Sequence, residues 1–141
     1  VVTFIATECP VSNSYNQRMI DVYQDYSSKN IKFIFVNANR SEPAGEVREH
    51  AKRVGFPFAV YKDPGNQVAD RFDAQVTPES YVIDNSGVIR YHGAIDDSMN
   101  ASRVHNQVLR AALDALLAGK PVPRTETKAF GCTIKRVRKA S

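Results

Sequence analysis

The sequence predicts an α/β domain built on a mixed sheet with helices on both faces, and three observations carry that reading. Short apolar strand runs alternate with amphipathic segments from Val1 to Phe72, as successive β-α-β crossover units do. Two strand runs then flank the turn Asp84-Asn85-Ser86-Gly87, the mark of an antiparallel hairpin. A strongly amphipathic helix follows and is stopped by Gly119 and Pro121. The order is βαβαβαββα, with the last two strands forming an antiparallel edge.

Val1 to Ala6 reads as a short buried strand, and Val11, Tyr15, Met19, Val22, Tyr23 and Tyr26 form the stripe of a following helix. The nearly continuous β-branched and aromatic run Ile31 to Val36 predicts a central strand covered on both faces. Pro43 suits a helix start; Val47, Ala51 and Val54 keep to one helical face, and Gly55 is placed for a left-handed C-terminal cap. Phe56 to Tyr61 is predicted as a strand, then the turn Asp63-Pro64-Gly65 and a brief helix carrying Val68, Ala69 and Phe72. After Val76-Thr77-Pro78 come the hairpin strands Ser80 to Ile83 and Val88 to His92. Val104, Val108, Leu109, Ala112, Leu113, Leu116 and Leu117 define the closing helix. Beyond Gly119 the segment with Pro121 and Pro123 has no clear period and reads as an extended arm.

A chain of 141 residues, 43% of them apolar, suits one core. No run of about 18 apolar residues exists, which excludes a membrane-spanning helix of ordinary length. The chain opens inside a strand pattern at Val1, which points to a lost upstream segment that would carry any targeting signal. The formal charge of +4 is matched numerically by Lys135, Arg136, Arg138 and Lys139 near the C-terminus. The body is therefore close to neutral, and no aromatic-rich basic surface accompanies the tail, so nucleic acid is not an expected partner. Two cysteines are too few for an all-thiolate zinc site or a disulfide-stapled mini-protein, although they suffice for one pair. His50, His92 and His105 show no ligand spacing, and neither metal nor cofactor is expected.

The stretch Thr3 to Tyr15 carries the chemistry. An apolar strand ends at Cys9, and Pro10 fits the first position of a helix, which makes Cys9 the N-cap or its neighbour. Unpaired backbone N–H groups and the helix dipole there favour thiolate over thiol, while Glu8 opposes this where its carboxylate lies close. Ser12 either donates to that sulfur or caps a backbone group of the first turn. Adjacent Asp96 and Asp97 mark a solvated loop or a helix start.

A strand leading into a cysteine at a helix start, then an X-Pro before a hairpin and a closing helix, resembles the thioredoxin-like superfamily over residues 1–119. Cys9-Pro-Val-Ser-Asn-Ser-Tyr15, Val76-Thr-Pro-Glu79, Gly93-Ala-Ile-Asp-Asp97 and Gly131-Cys-Thr-Ile134 are similar to bacterial redoxin-domain proteins, relatives of peroxiredoxins and thiol-disulfide oxidoreductases. The resemblance implies a three-layer α/β/α sandwich over 1–119, with 120–141 an extended basic tail carrying Cys132. It places Cys9 at the attacking position and Thr77-Pro78 in a cis-proline loop beside it, where the Thr77 backbone would face an extended peptide substrate. Three departures narrow it. Ser12 stands where thioredoxins carry a second cysteine; Val2 and Ala6 stand where peroxiredoxins carry Pro and a hydroxyl residue; Ile5 stands where copper-handling relatives carry a cysteine.

Cys132 is the only other thiol able to resolve an adduct on Cys9, and an arm of about 13 residues from Gly119 reaches about 40 Å, enough to cross a small domain. It is a resolving thiol, an inert tail cysteine or half of a permanent staple. The expected function is thiol-disulfide exchange on a protein disulfide, with an external thiol reductant. The alternatives are a peroxidase acting on a small peroxide and a thioredoxin-like module that binds without turnover. The resemblance favours an extracytoplasmic bacterial setting over a cytoplasmic one.

Overall fold

The computed structural model describes residues 1–137, so Arg138 and Lys139 of the basic tail lie outside the described residues. Five strands form the main sheet: β1 (Val2–Phe4), β2 (Ile34–Asn37), β3 (Val60–Lys62), β5 (Glu79–Ile83) and β6 (Ile89–Gly93). Their order is β3-β2-β1-β5-β6, parallel from β1 to β3 and antiparallel from β1 through β5 to β6. A second, two-stranded antiparallel sheet joins β4 (Val76–Thr77) to β7 (Cys132–Thr133) in the tail. The helices are α1 (Pro10–Ser14), α2 (Asn16–Tyr26), α3 (Ala44–Val54), α4 (Gln67–Phe72) and α5 (Val108–Leu117).

The two-residue period of the strands separates two cores. On one side Phe35 and Val82 pack with Met19, Val22 and Tyr26 of α2 and with Leu109, Ala112 and Leu113 of α5. On the other, Val2, Phe4, Val36 and Tyr81 pack with Ala69 of α4 and with Ile134 from the tail. Helices thus cover both faces of a mixed sheet, the thioredoxin-like α/β arrangement expected from the sequence. Gly55 caps α3 at φ 82°, a left-handed conformation that suits glycine.

The structure corrects the sequence reading at four places. β2 lies inside the sheet between β3 and β1 and is covered on both faces through Phe35 and Val36, but it begins at Ile34 and not Ile31, and Ile34 is exposed. The predicted strand from Phe56 is paired only from Val60, because Phe56 and Phe58 serve as core plugs. The Phe58 ring stacks on Phe35 with centroids 3.6 Å apart. The first helix breaks at Tyr15, which caps the end of α1 and the start of α2. The closing helix begins at Val108 and not Val104, since 101–103 form a 3-10 turn and Asp97 accepts the His105 N–H.

The tail does not leave the domain. His92 exchanges backbone hydrogen bonds with Thr125 and Thr127 along the edge of β6, and Phe130 packs near Tyr15. The chain then pairs as β7 with β4 and continues past Asn39 and Asn66, which bond the N–H groups of Lys135 and Val137. Arg136 forms an ion pair with Asp70 at 3.1 Å. Among the described residues no helix is long and apolar enough to cross a membrane.

Candidate active site

Cys9 is the N-cap of α1, and Pro10 opens the helix. Its extended backbone directs the sulfur back over the first turn, where Sγ accepts the Ser12 N–H at 3.3 Å. The Ser12 hydroxyl accepts the Ala6 N–H at 3.1 Å. Ser12 thus meets Cys9 through its backbone N–H, while its hydroxyl accepts from Ala6, which lies ahead of the helix and not in its first turn.

Thr77-Pro78 is cis, and the Thr77 carbonyl oxygen lies 3.6 Å from Cys9 Sγ. Cys132 reaches the same point from the other side. It is disulfide-bonded to Cys9 with Cα atoms 5.9 Å apart, across 123 positions of sequence. Thr77 and Cys132 are register partners, so strand pairing delivers the second sulfur. The structure therefore brings Cys9, Cys132, Ser12, Thr77 and Pro78 together. Cys9 is 4% exposed, whereas Cys132 is half-buried. The Thr77 hydroxyl is buried without a hydrogen-bond partner among the described residues.

The residues that hold the turn before Cys9 were not anticipated from the sequence. Glu42 is buried, and its carboxylate accepts the Thr7 N–H at 2.7 Å and the Glu8 N–H at 3.2 Å, together with the amides of Asn37 and Asn39. Burial pushes its pKa up, but those four hydrogen bonds outweigh burial and hold the carboxyl below its ordinary value. Lys62 donates to Asn37 Oδ1 and to the carbonyls of Asn39 and Glu42, which fixes the loop that carries the acid. From α1, Asn13 donates to the Thr7 carbonyl at 2.8 Å while its Oδ1 meets His50 Nε2 at 2.8 Å. Burial, with a contribution from Arg53, lowers the His50 pKa. The signal in the sequence was Asn37-Ala-Asn39 with Glu42, polar groups directly after an apolar strand run, where water-facing residues alone would need no such pattern.

A second buried network sits behind α1. Tyr15 Oη donates to Asp96 at 2.6 Å, Arg18 pairs with Asp96 at 2.9 Å, and the Arg18 guanidinium lies 3.7 Å from the Tyr15 ring centroid. Burial, the hydrogen bond to Asp96 and its charge raise the Tyr15 pKa. Asp96 is buried, so it is not the solvated loop residue expected; exposed Asp97 takes the loop role instead.

A mixed sheet of this order, with a cysteine at a helix N-cap facing a cis-proline loop and disulfide-bonded to a second cysteine, defines a thioredoxin-like redoxin. The AhpC/TSA family model matches residues 1–92, and the chain belongs to that family. It is 28% identical over 100 residues to the thiol-disulfide oxidoreductase ResA of Halalkalibacterium halodurans, a match covering 70% of this chain. The chain spans only 56% of that relative's length. An uncharacterised conserved protein from Geobacillus kaustophilus superposes with a TM-score of 0.91 at 33% identity, over 99% of this chain and 77% of that one. A thioredoxin-like protein solved in its oxidised form superposes with a TM-score of 0.67 at 18% identity, over 84% of this chain and 78% of that one, a likeness of fold.

Proposed function

We propose that the chain is a thiol-disulfide oxidoreductase, with 1–119 as its catalytic domain and 120–141 as a tail that supplies the second thiol. The observation that carries this is the Cys9–Cys132 disulfide, formed where the Cys9 N-cap meets the cis Thr77-Pro78 bond. In the reduced protein the Cys9 thiolate attacks one sulfur of a substrate disulfide, forming a mixed disulfide and expelling the other sulfur as a thiolate. The Cys132 thiolate then attacks Cys9 Sγ and forms the Cys9–Cys132 bond, and the substrate leaves as its second thiolate. The substrate gains two electrons, and an external thiol reductant must return two.

Half-buried Cys132 is the sulfur open to that reductant. Attack there expels the Cys9 thiolate into a position already held by the Ser12 N–H. The relative named as a thiol-disulfide oxidoreductase supports exchange as the reaction class. Exchange is preferred to peroxide reduction because Ala6 supplies no hydroxyl at the position where peroxiredoxins carry one.

The test is a thiol count by mass spectrometry on the folded protein, paired with insulin-disulfide reduction and peroxide consumption. Two thiols after dithiol treatment, a Cys9–Cys132 link restored by mild oxidant, and loss of insulin reduction in Cys9→Ser support the proposal. A bond that resists reduction in the folded protein makes it a staple and sinks the proposal. Insulin reduction that persists at full rate in Cys9→Ser does the same.

A further inference from the structure

The tail segment around Cys132 is seated like a bound peptide. Cys132 and Thr133 pair antiparallel with Thr77 and Val76, and the Ile134 N–H donates to the Gln75 carbonyl at 2.9 Å. This is strand addition to a short backbone edge, in which main-chain bonds fix the register and alternate side chains meet the protein. The side chains then divide by position. Ile134, two residues after the cysteine, is 4% exposed and sits in the apolar cluster with Phe4, Val36, Ala74 and Tyr81. Thr133 between them is exposed. Gly131 passes so close to Thr77 that a Cβ there would be driven into the Thr77 carbonyl. Phe130 packs 6.2 Å from the Tyr15 ring centroid.

Building on the exchange reaction above, we infer that this edge selects its disulfide substrate by the pattern that the tail displays. The partner is an extended protein segment with glycine before the attacked cysteine and an aliphatic side chain two residues after it, and the tail competes for the same place. Glycine is required because the Thr77 carbonyl leaves no room for a Cβ. The aliphatic group is required because the Ile134 seat is apolar. The residue between them is free.

The probe is the peptide Phe-Gly-Cys-Thr-Ile, carried as a mixed disulfide with thionitrobenzoate, reacted with the full chain bearing Cys132→Ser. The Cys9 thiolate attacks the peptide sulfur, the Cys9–peptide disulfide forms, and the peptide–thionitrobenzoate bond breaks. Thionitrobenzoate leaves as a coloured thiolate with the bonding electrons, and mass spectrometry confirms the adduct. Replacing the peptide's glycine with alanine, or its isoleucine with serine, is expected to slow the reaction about tenfold or more. Adding Gly131→Ala to the Cys132→Ser chain prevents the tail from seating and is expected to speed reaction with the matched peptide severalfold.

The symmetric dinitrobenzoate disulfide serves as the small-molecule control. If Cys9 reacts with it and all three peptides react at one rate in both chains, selection by the tail pattern is overturned and exchange stands. If Cys9 reacts with neither the control nor any peptide in either chain, exchange itself fails and this inference falls with it. An unchanged rate with the matched peptide after Gly131→Ala overturns competition by the tail.

Discussion

Reducing the Cys9–Cys132 disulfide should cost the protein several kcal/mol of stability, and the size follows from where the bond lies. It closes a loop across 123 positions. In the chain-entropy account such a cross-link removes about 16 cal/mol/K from the unfolded ensemble, or about 5 kcal/mol at 25 °C. One term opposes this on reduction. The Ser12 N–H that meets Cys9 Sγ at 3.3 Å would then bond a thiolate, and hydrogen bonds to charged groups exceed neutral ones by about 1 kcal/mol. The expected gap between oxidised and reduced protein is therefore about 3–5 kcal/mol.

Urea unfolding at fixed pH, followed by circular dichroism with and without a dithiol, measures that gap directly. At slopes of about 1–3 kcal/mol/M, a difference near 4 kcal/mol moves the midpoint by roughly 1.3–4 M. The slope should also change, since the cross-link keeps the unfolded chain compact. Cys132→Ser should match the reduced wild type. The same difference makes the disulfide harder to reduce in the folded than in the unfolded protein by roughly 60–110 mV. Oxidised and reduced stabilities within about 0.5 kcal/mol of each other would refute the reasoning, because they would mean that the unfolded state is not constrained by this bond.

Glu42→Gln removes an acceptor from donors that remain buried, and should cost about 2–3 kcal/mol in urea unfolding at pH 7. Because the folded pKa of Glu42 lies below its ordinary 4.5, its contribution is complete above that pH and is lost as pH falls through the folded value. The variant should therefore lose less stability than wild type between pH 5 and 3. His50 has a folded pKa below 6.5, so folding favours its neutral form and stability falls as pH drops from 6.5 through the folded value. An NMR titration of His50 should give a midpoint below 6.5. Thr77→Val deletes a buried hydroxyl that has no partner among the described residues, and should raise stability by about 1 kcal/mol; because the β4–β7 pairing uses the Thr77 backbone, the proposed exchange activity is expected to persist. Asp96→Ala removes the carboxylate partner of the partly buried Arg18, leaving its guanidinium only the carbonyls of Ser14, Ser98 and Met99, and should cost about 3 kcal/mol in the same assay.

What was legible in the sequence is what local chemistry dictates. Pro10 after Cys9 marks a helix start, Gly55 marks a helix end, and the spacing of Leu109, Ala112 and Leu113 marks a buried stripe; each stands where expected. The errors fall where a tertiary partner overrides local pattern. Phe56 and Phe58 look like strand residues because they are apolar, but their burial comes from stacking in a loop against Phe35. The helical stripe through Tyr15 hides a break, because the Tyr15 hydroxyl and Arg18 answer to Asp96, about 80 residues away. Glu42 drew no reading from the sequence, since the Thr7 and Glu8 N–H groups that its oxygens accept lie about 35 residues away.

The candidate site divides along the same line. One half is local: a cysteine, a proline and one turn of helix are enough to present a sulfur. The other half depends on non-local pairing, and β7 shows how it is supplied. A sulfur placed three residues after Cys9, where Ser12 stands, would need only the helix to position it. Cys132 instead needs an edge strand, an apolar seat for Ile134 and a glycine thin enough to pass Thr77. Among the described residues β4 is a two-residue strand paired with the tail alone, so undocking would uncover its backbone groups and the apolar seat together. On the proposed exchange reaction, a cysteine at position 12 would resolve an adduct on Cys9 without touching this edge, whereas Cys132 ties resolution to the docking of the tail upon it.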